Sequence, residues 1–203
     1  MLEKYLKQGL KLALAVSGGK DSMVMLDKLL KLKERFRLEI KVINVNHKIR
    51  MNGGEDSRFV ADFCKKQGVP CEVFEVDVPA YAARKKLSLE TAAREMRYAV
   101  LNAAAKSVDY VCLAHHMNDN AETVLLNFVR GTDLRGLCGM RPKQGDIVRP
   151  FLEQTREELV TYARAHNIPH VEDHTNADPN AAARNYLRLE ILPRLRELNP
   201  RAP

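Results

Sequence analysis

Short apolar runs alternate with longer stretches of helical spacing along most of this chain. Lys11-Leu-Ala-Leu-Ala-Val16 is apolar after its first residue and stops at Ser17-Gly18-Gly19; residues 23–32 then repeat apolar positions at helical spacing. That order predicts strand, glycine turn, helix. Residues 40–45 read as a second strand, 56–67 as a helix closed by Gly68, and 71–76 as a third strand. Ser88 reads as the N-cap of a helix through about Ala105, 110–114 as a fourth strand, and 122–130 as a helix closed by Gly131. The alternation predicts a doubly wound, mostly parallel α/β sheet of five strands with helices on both faces.

After Gly131 the pattern loosens. Gly136, Gly139, Pro142, Gly145 and Pro150 punctuate it, with 146–149 as a short strand. Thr155 and Glu158 have capping-box spacing for a helix to about His166, and a last helix over 181–192 is expected to end at Pro193. Residues 131–203 therefore read as a loop-rich and helical extension of one domain spanning 1–203, too short for a second domain.

Composition narrows the function classes. The 203 residues carry 33 Lys and Arg against 26 Asp and Glu, a formal +7 that suits an anionic partner such as RNA without identifying one. No apolar run approaches the roughly 18 residues a membrane span needs. The first ten residues lack the apolar segment and cleavage site of a secretory signal, so no membrane association and a cytoplasmic location are expected. Cys64, Cys71, Cys112 and Cys138 form no C-x-x-C pair, which disfavours a zinc ribbon or a redox dithiol; buried, reduced thiols are expected.

The chemistry concentrates first at Ser17-Gly18-Gly19-Lys20-Asp21-Ser22. Between a strand and a helix, backbone N–H groups and the positive helix end converge, which is how proteins hold phosphate. The glycines let backbone approach an anion, Ser17 and Ser22 add hydroxyls, and Lys20 adds charge. The Walker pattern is absent, since Leu14 stands where it wants glycine and Asp21 where it wants Ser or Thr. An aspartate beside a phosphate cradle repels the ligand unless a cation intervenes, so Asp21 points to Mg²⁺. A tight turn whose Asp and Ser merely cap the next helix is the plain alternative.

The full run after a strand resembles the N-type ATP pyrophosphatases, the PP-loop family. Val45-Asn-His-Lys-Ile-Arg50, residues 87–98, His115-His-Met-Asn-Asp-Asn-Ala-Glu-Thr123, Arg130-Gly-Thr132, Arg149-Pro150, Val171-Glu-Asp173 and Arg184-Asn185 are similar, in the right order, to the lysidine synthetases of isoleucine tRNA within it. The resemblance implies a ligase. ATP adenylates the 2-oxygen of a wobble cytidine, pyrophosphate departs in the cradle, and the amine of free L-lysine displaces AMP. It implies ATP and Mg²⁺ as cofactors and isoleucine tRNA and free lysine as partners, with a homodimer left open as the assembly. It places Asp21, Arg97, Asp119 and Glu122 in the chemistry. In that reading Asp119 and Glu122 supply a metal ligand and an acceptor for the lysine ammonium.

Each of those residues also has a plainer reading. Asp119 as N-cap with Glu122 three residues on is a capping box. Arg97, at the edge of a stripe of Ala92, Met96, Val100 and Ala103, can turn to an α-phosphate or snorkel. His47, Arg50, Arg184 and Arg188 are the candidate tRNA contacts, with i, i+4 pairing of the last two to nearby acids as the alternative. His115 and His116 fall at the same sheet edge. Lys20, Asn118, Asn120 and Ala183 depart from the family's usual residues. Lysidine synthetases typically continue into C-terminal tRNA-binding domains, which the chain is expected to lack. A tRNA-thiolating PP-loop enzyme and a non-catalytic nucleotide-binding fragment are the alternative functions; the thiolating relatives carry cysteine pairs not found here.

Overall fold

The computed structural model describes residues 6–49, 53–172, 178 and 183–199. Strand β1 (Lys11–Ala15) lies between β2 (Glu39–Asn46) and β4 (Tyr110–Cys112), and β3 (Cys71–Glu75) flanks β2. Beyond β4 come β6 (Ile147–Val148) and β5 (Lys143–Gln144). The sheet therefore has six strands in the order β3-β2-β1-β4-β6-β5, parallel except for the β5–β6 pair. Five were expected. The sixth, β5, is two residues long and turns back through Gly145, too brief to leave a periodic signal.

Strand β1 explains why helices sit on both faces. Leu12, Leu14 and Val16 face α1 (Lys20–Leu32), α2 (Gly53–Lys66) and α7 (Arg156–Ala165), where Met23, Leu26, Val60 and Leu159 are buried with them. On the other face Ala13 meets Leu101 and Ala104 of α4 (Leu89–Ala105), with Ile43 and Val111 beside them. Small Ala13 lets that helix lie close. Helix α4 buries Ala92, Leu101 and Ala104 rather than the expected stripe, and Ala103 is exposed. Helix α3 (Val78–Lys85), not anticipated, starts at Asp77, whose carboxylate accepts from Ala80 N, with Pro79 in its first turn.

Helix α5 (Met117–Val129) carries a strap over residues 131–140. Asn120 Oδ1 accepts from Met140 N at 2.6 Å, and Asn127 Nδ2 donates to the Gly136 carbonyl at 2.9 Å. The chain turns at Gly139 with φ +65°, where a Cβ would stand 2.4 Å from Asn120 Oδ1. The short helix α6 (Leu134–Leu137) sits in this strap. Helix α8 (Ala183–Tyr186) passes through a π-helical turn (Leu187–Ile191) into α9 (Leu192–Leu198). The expected stop at Pro193 does not occur. The widened turn precedes a proline in the first turn of α9, where its missing N–H is tolerated. No helix of the described residues is long and apolar enough to cross a membrane.

Candidate active site

Strand order reverses between β1 and β4, so a crevice opens beyond their carboxyl ends, the position at which open α/β sheets bind ligands. One wall is the turn of residues 17–22. Ser22 Oγ donates to the Gly19 carbonyl at 2.8 Å and accepts from Ser17 N at 3.2 Å, which curls the turn onto the start of α1. Gly18 has φ +90°, a conformation that glycine alone adopts freely, and a Cβ there would stand 3.3 Å from Val60. Gly19 is the N-cap of α1 and contributes no side-chain cap, so the first amides of the helix stay open for an anion. From β2, Asn44 reaches across and donates from Nδ2 to the Val16 carbonyl at 2.8 Å, while its buried Oδ1 has no partner.

The facing wall begins with α5. Its N-cap is His116, not Asp119: the His116 ring accepts from Asp119 N, and Asp119 Oδ2 accepts from His116 N at 3.0 Å. The capping box thus lies one turn earlier than expected, because the imidazole Nδ1 serves as the acceptor that Ser, Thr or Asp usually supplies. A backbone N–H only donates, so Nδ1 carries the lone pair and the proton of neutral His116 is on Nε2. That Nε2 lies 3.7 Å from Asp21 Oδ2 and 3.5 Å from Asp119 Oδ2. His116 is 4% exposed, so it is a buried fixture that draws the two carboxylates to one point. Burial raises the Asp21 pKa above the usual carboxylate value; His116 lowers it, Asp119 raises it again, and Arg156 and Lys20 pull it down.

Glu122 is 0% exposed and already engaged. Arg188 Nε donates to its Oε1 at 2.6 Å and Arg188 Nη2 to its Oε2 at 2.9 Å. Each oxygen of Glu122 accepts one hydrogen bond from Arg188, and the pair fixes that guanidinium. Arg184 donates from Nη2 to Thr123 Oγ1 at 2.9 Å. Both arginines therefore point to α5, and neither is a free surface cation.

His47, at the end of β2, meets Arg97 of α4: Arg97 Nη2 lies 3.1 Å from His47 Nε2. The guanidinium has only donors, so the imidazole accepts and His47 is neutral with its proton on Nδ1, which is buried without a partner. Burial and then Arg97 push the His47 pKa down to about 4. His47 thus orients Arg97 at the sheet edge, although the residue stays exposed. Arg50 and Asp173 lie outside the described residues. Asn118 and Asn120 are both spent on backbone: Asn118 Oδ1 accepts from Arg156 N at 2.9 Å, and Asn120 holds the strap.

Asn44 and Arg149 went unremarked as site residues in the sequence. An asparagine between Ile43 and Val45, within the apolar run that starts at Val42 of a parallel strand, was the available signal for the first. Cys64 and Cys112 are buried, Cys71 is partly buried and Cys138 is exposed; all four are free thiols.

A PP-loop domain family model matches residues 1–195 of the chain. The chain belongs to the PP-loop family. Curated relatives include the tRNA(Ile)-lysidine synthase of Pseudothermotoga lettingae, 42% identical over 94% of this chain and 43% of that protein, and the one of Thermotoga maritima, 40% identical over 96% of this chain and 47% of that protein. The PP-loop chain thus spans about half the length of the curated relatives it matches. Among solved structures, a U34-tRNA thiolase of Methanococcus maripaludis with its 4Fe–4S cluster superposes with a TM-score of 0.79, at 20% identity, over 98% of this chain and 71% of that one. An NH3-dependent NAD synthetase of Campylobacter jejuni gives 0.54 at 17% identity, over 82% of this chain and 67% of that one. The structural likenesses show the shared fold.

Proposed function

We propose that this PP-loop domain is the catalytic unit of an ATP-dependent ligase that adenylates the wobble cytidine of isoleucine tRNA and joins free lysine to it, releasing pyrophosphate and AMP. The observation that carries the reading is the convergence of Asp21 and Asp119 on His116 where the phosphate cradle meets the start of α5. Two hard carboxylate oxygens beside a cradle fit Mg²⁺, which takes one or two protein carboxylates and completes its shell with phosphate oxygens and water. When bound there, the ion neutralises charge on the phosphates.

The chain's own groups carry the remaining work. The amides and hydroxyls of residues 17–22 grip the pyrophosphate portion of ATP. Arg97, aimed by His47, offers a fixed cation where charge builds at the α-phosphate. The 2-oxygen of cytidine forms its bond to the α-phosphorus as the bond to pyrophosphate breaks. The lysine amine then attacks the activated carbon, surrendering a proton, and the bond to AMP breaks. Asp119 holds the incoming amine near that carbon, and Glu122 keeps Arg188 in place beside it.

The test is product analysis. Protein incubated with ATP, lysine and unmodified isoleucine tRNA is expected to yield lysidine by nucleoside mass spectrometry. A thiolated base formed only with a sulfur donor would replace this reading with the thiolase one, and ATP binding with no turnover would reduce the domain to a nucleotide-binding module.

A further inference from the structure

Asn44 is a buried amide in a strand of the core. It is 2% exposed, donates from Nδ2 to the Val16 carbonyl at 2.8 Å, and keeps Oδ1 buried with no partner. A buried acceptor left orphaned is unfavourable. Leucine has the same branching and would bring no such orphan, so the one bond the amide makes is what the residue offers. That bond ends one residue before the cradle. The Val16 carbonyl and the Ser17 N–H are the two ends of a single planar trans peptide and point in opposite directions. Holding the carbonyl toward Asn44 therefore turns the N–H to the other side, where Ser17 N donates to Ser22 Oγ at 3.2 Å. Ser22 Oγ in turn donates to the Gly19 carbonyl at 2.8 Å.

A second peptide of the turn is held in the same way. Val171 N donates to the Gly18 carbonyl at 2.9 Å, and Gly19 N, at the other end of that peptide, faces Ser17 Oγ at 3.4 Å. The carbonyls of Val16, Gly18 and Gly19 are thus each occupied by a donor. For an anion this is decisive. A carbonyl oxygen swung into the cradle would set negative charge against a phosphate and carry away the amide that should meet it. Glycines at 18 and 19 make such a swing easy unless the peptide planes are held from outside.

We infer that Asn44 is a positioning residue of the phosphate cradle: its side-chain amide clamps the Val16 carbonyl outward and so keeps the Ser17 amide and the Ser22 hydroxyl turned toward the pyrophosphate portion of the nucleotide. The assignment rests on the cradle gripping pyrophosphate, as in the ligase reading, and adds to it a residue from outside the turn. Asn44 touches no reacting atom. Its bond is to backbone, so it acts on any ligand that carries a diphosphate and is silent toward one that does not.

The test sets Asn44→Leu against the unaltered chain. The variant trades one unpaired acceptor, Oδ1, for another, the Val16 carbonyl, so its melting temperature should change little. By calorimetry, its affinity for magnesium pyrophosphate and for a non-hydrolysable ATP analogue should fall about tenfold, whereas affinity for AMP should stay within about twofold. Equal losses toward pyrophosphate and AMP would overturn the clamp and return Asn44 to the frame, as would undiminished binding of pyrophosphate. Asn44→Ala reads the same ratio should leucine prevent folding. Hydrogen exchange in the ligand-free chain needs no nucleotide: the Ser17 amide should exchange about tenfold faster in the variant, and an unaltered rate would overturn the clamp. Pyrophosphate bound by the unaltered chain and lost in the variant, with no lysidine formed by either, would sustain the clamp and sink the ligase. Lysidine formed by both, with exchange and pyrophosphate affinity unaltered, would do the reverse.

Discussion

The two walls of the crevice bind negative charge by different means. The cradle of residues 17–22 uses partial charges: backbone amides, hydroxyls and a helix end, organised chiefly by hydrogen bonds within the turn, with Val171 N donating to the Gly18 carbonyl from outside it. The opposite wall uses whole charges, with Arg97, Arg149 and Arg184 brought together around His115 from distant parts of the chain. A turn of amides is stable when empty, because water serves it. A buried guanidinium is not, and on the second wall that unfavourable term falls on Arg149 alone, since Arg184 is half-buried and Arg97 exposed. Glu122 shows how a fixed carboxylate relieves such a charge, at Arg188, whereas Arg149 is met only by the Arg141 carbonyl.

Removing that fixed carboxylate is expected to have the largest effect. Glu122→Ala leaves half-buried Arg188 without its partner and hollows the buried Glu122 position, and unfolding by urea should show a loss of about 3 kcal/mol. A loss below 1 kcal/mol would mean that the arginine wall relaxes into water, and that the contrast between the walls is not energetic. Next comes the bridge between the walls. Asp21→Asn should slow pyrophosphate release by about a hundredfold or more while leaving the fold intact; an unchanged rate would move the essential negative charge to the other wall.

The walls should also differ in acid. A histidine whose pKa is lowered to about 4 in the folded chain binds its proton more readily unfolded, where the ordinary value is about 6.5. Stability contributed by neutral His115 and His47 is therefore present above pH 6.5 and is lost as pH falls toward 4, by on the order of 1 kcal/mol for each half-buried ring once solvent screening is allowed for. Asp21, whose pKa is raised, acts in the opposite sense as it takes up a proton in the folded chain. Urea midpoints across that range should fall with pH, and His115→Gln should flatten the curve. The smallest effect belongs to the cradle: Gly18→Ala, at φ +90° and 3.3 Å from Val60, should cost about 1–2 kcal/mol and weaken nucleotide binding several-fold.

This contrast governs what could be read before the structure. The cradle, the Ser88 cap and the Thr155–Glu158 box were legible because each is a local pattern with its partners a turn away. The arginine wall was not, since nothing in the spacing of positions 97, 115, 149 and 184 ties them together; the topology does, by bringing β4 and β6 to one edge beneath α4 and α8. Intermediate cases were half legible. Asp119 was placed at a helix start, but the turn was misassigned because the capping group is an imidazole. Glu122 and Arg188 were both singled out, yet their mutual pairing spans 66 residues and belongs to tertiary structure.

The strap fastened along α5 gives that helix a mechanical character. Asn120 is next in sequence to Asp119, so the bond that pins Met140 is anchored one residue from a carboxylate at the crevice. The exposed side of the same rod carries Phe128 and Val129, with Leu134 on the strap beside them. Strap and helix are thus one hydrogen-bonded piece, running from the exposed apolar end to the point where the carboxylates meet.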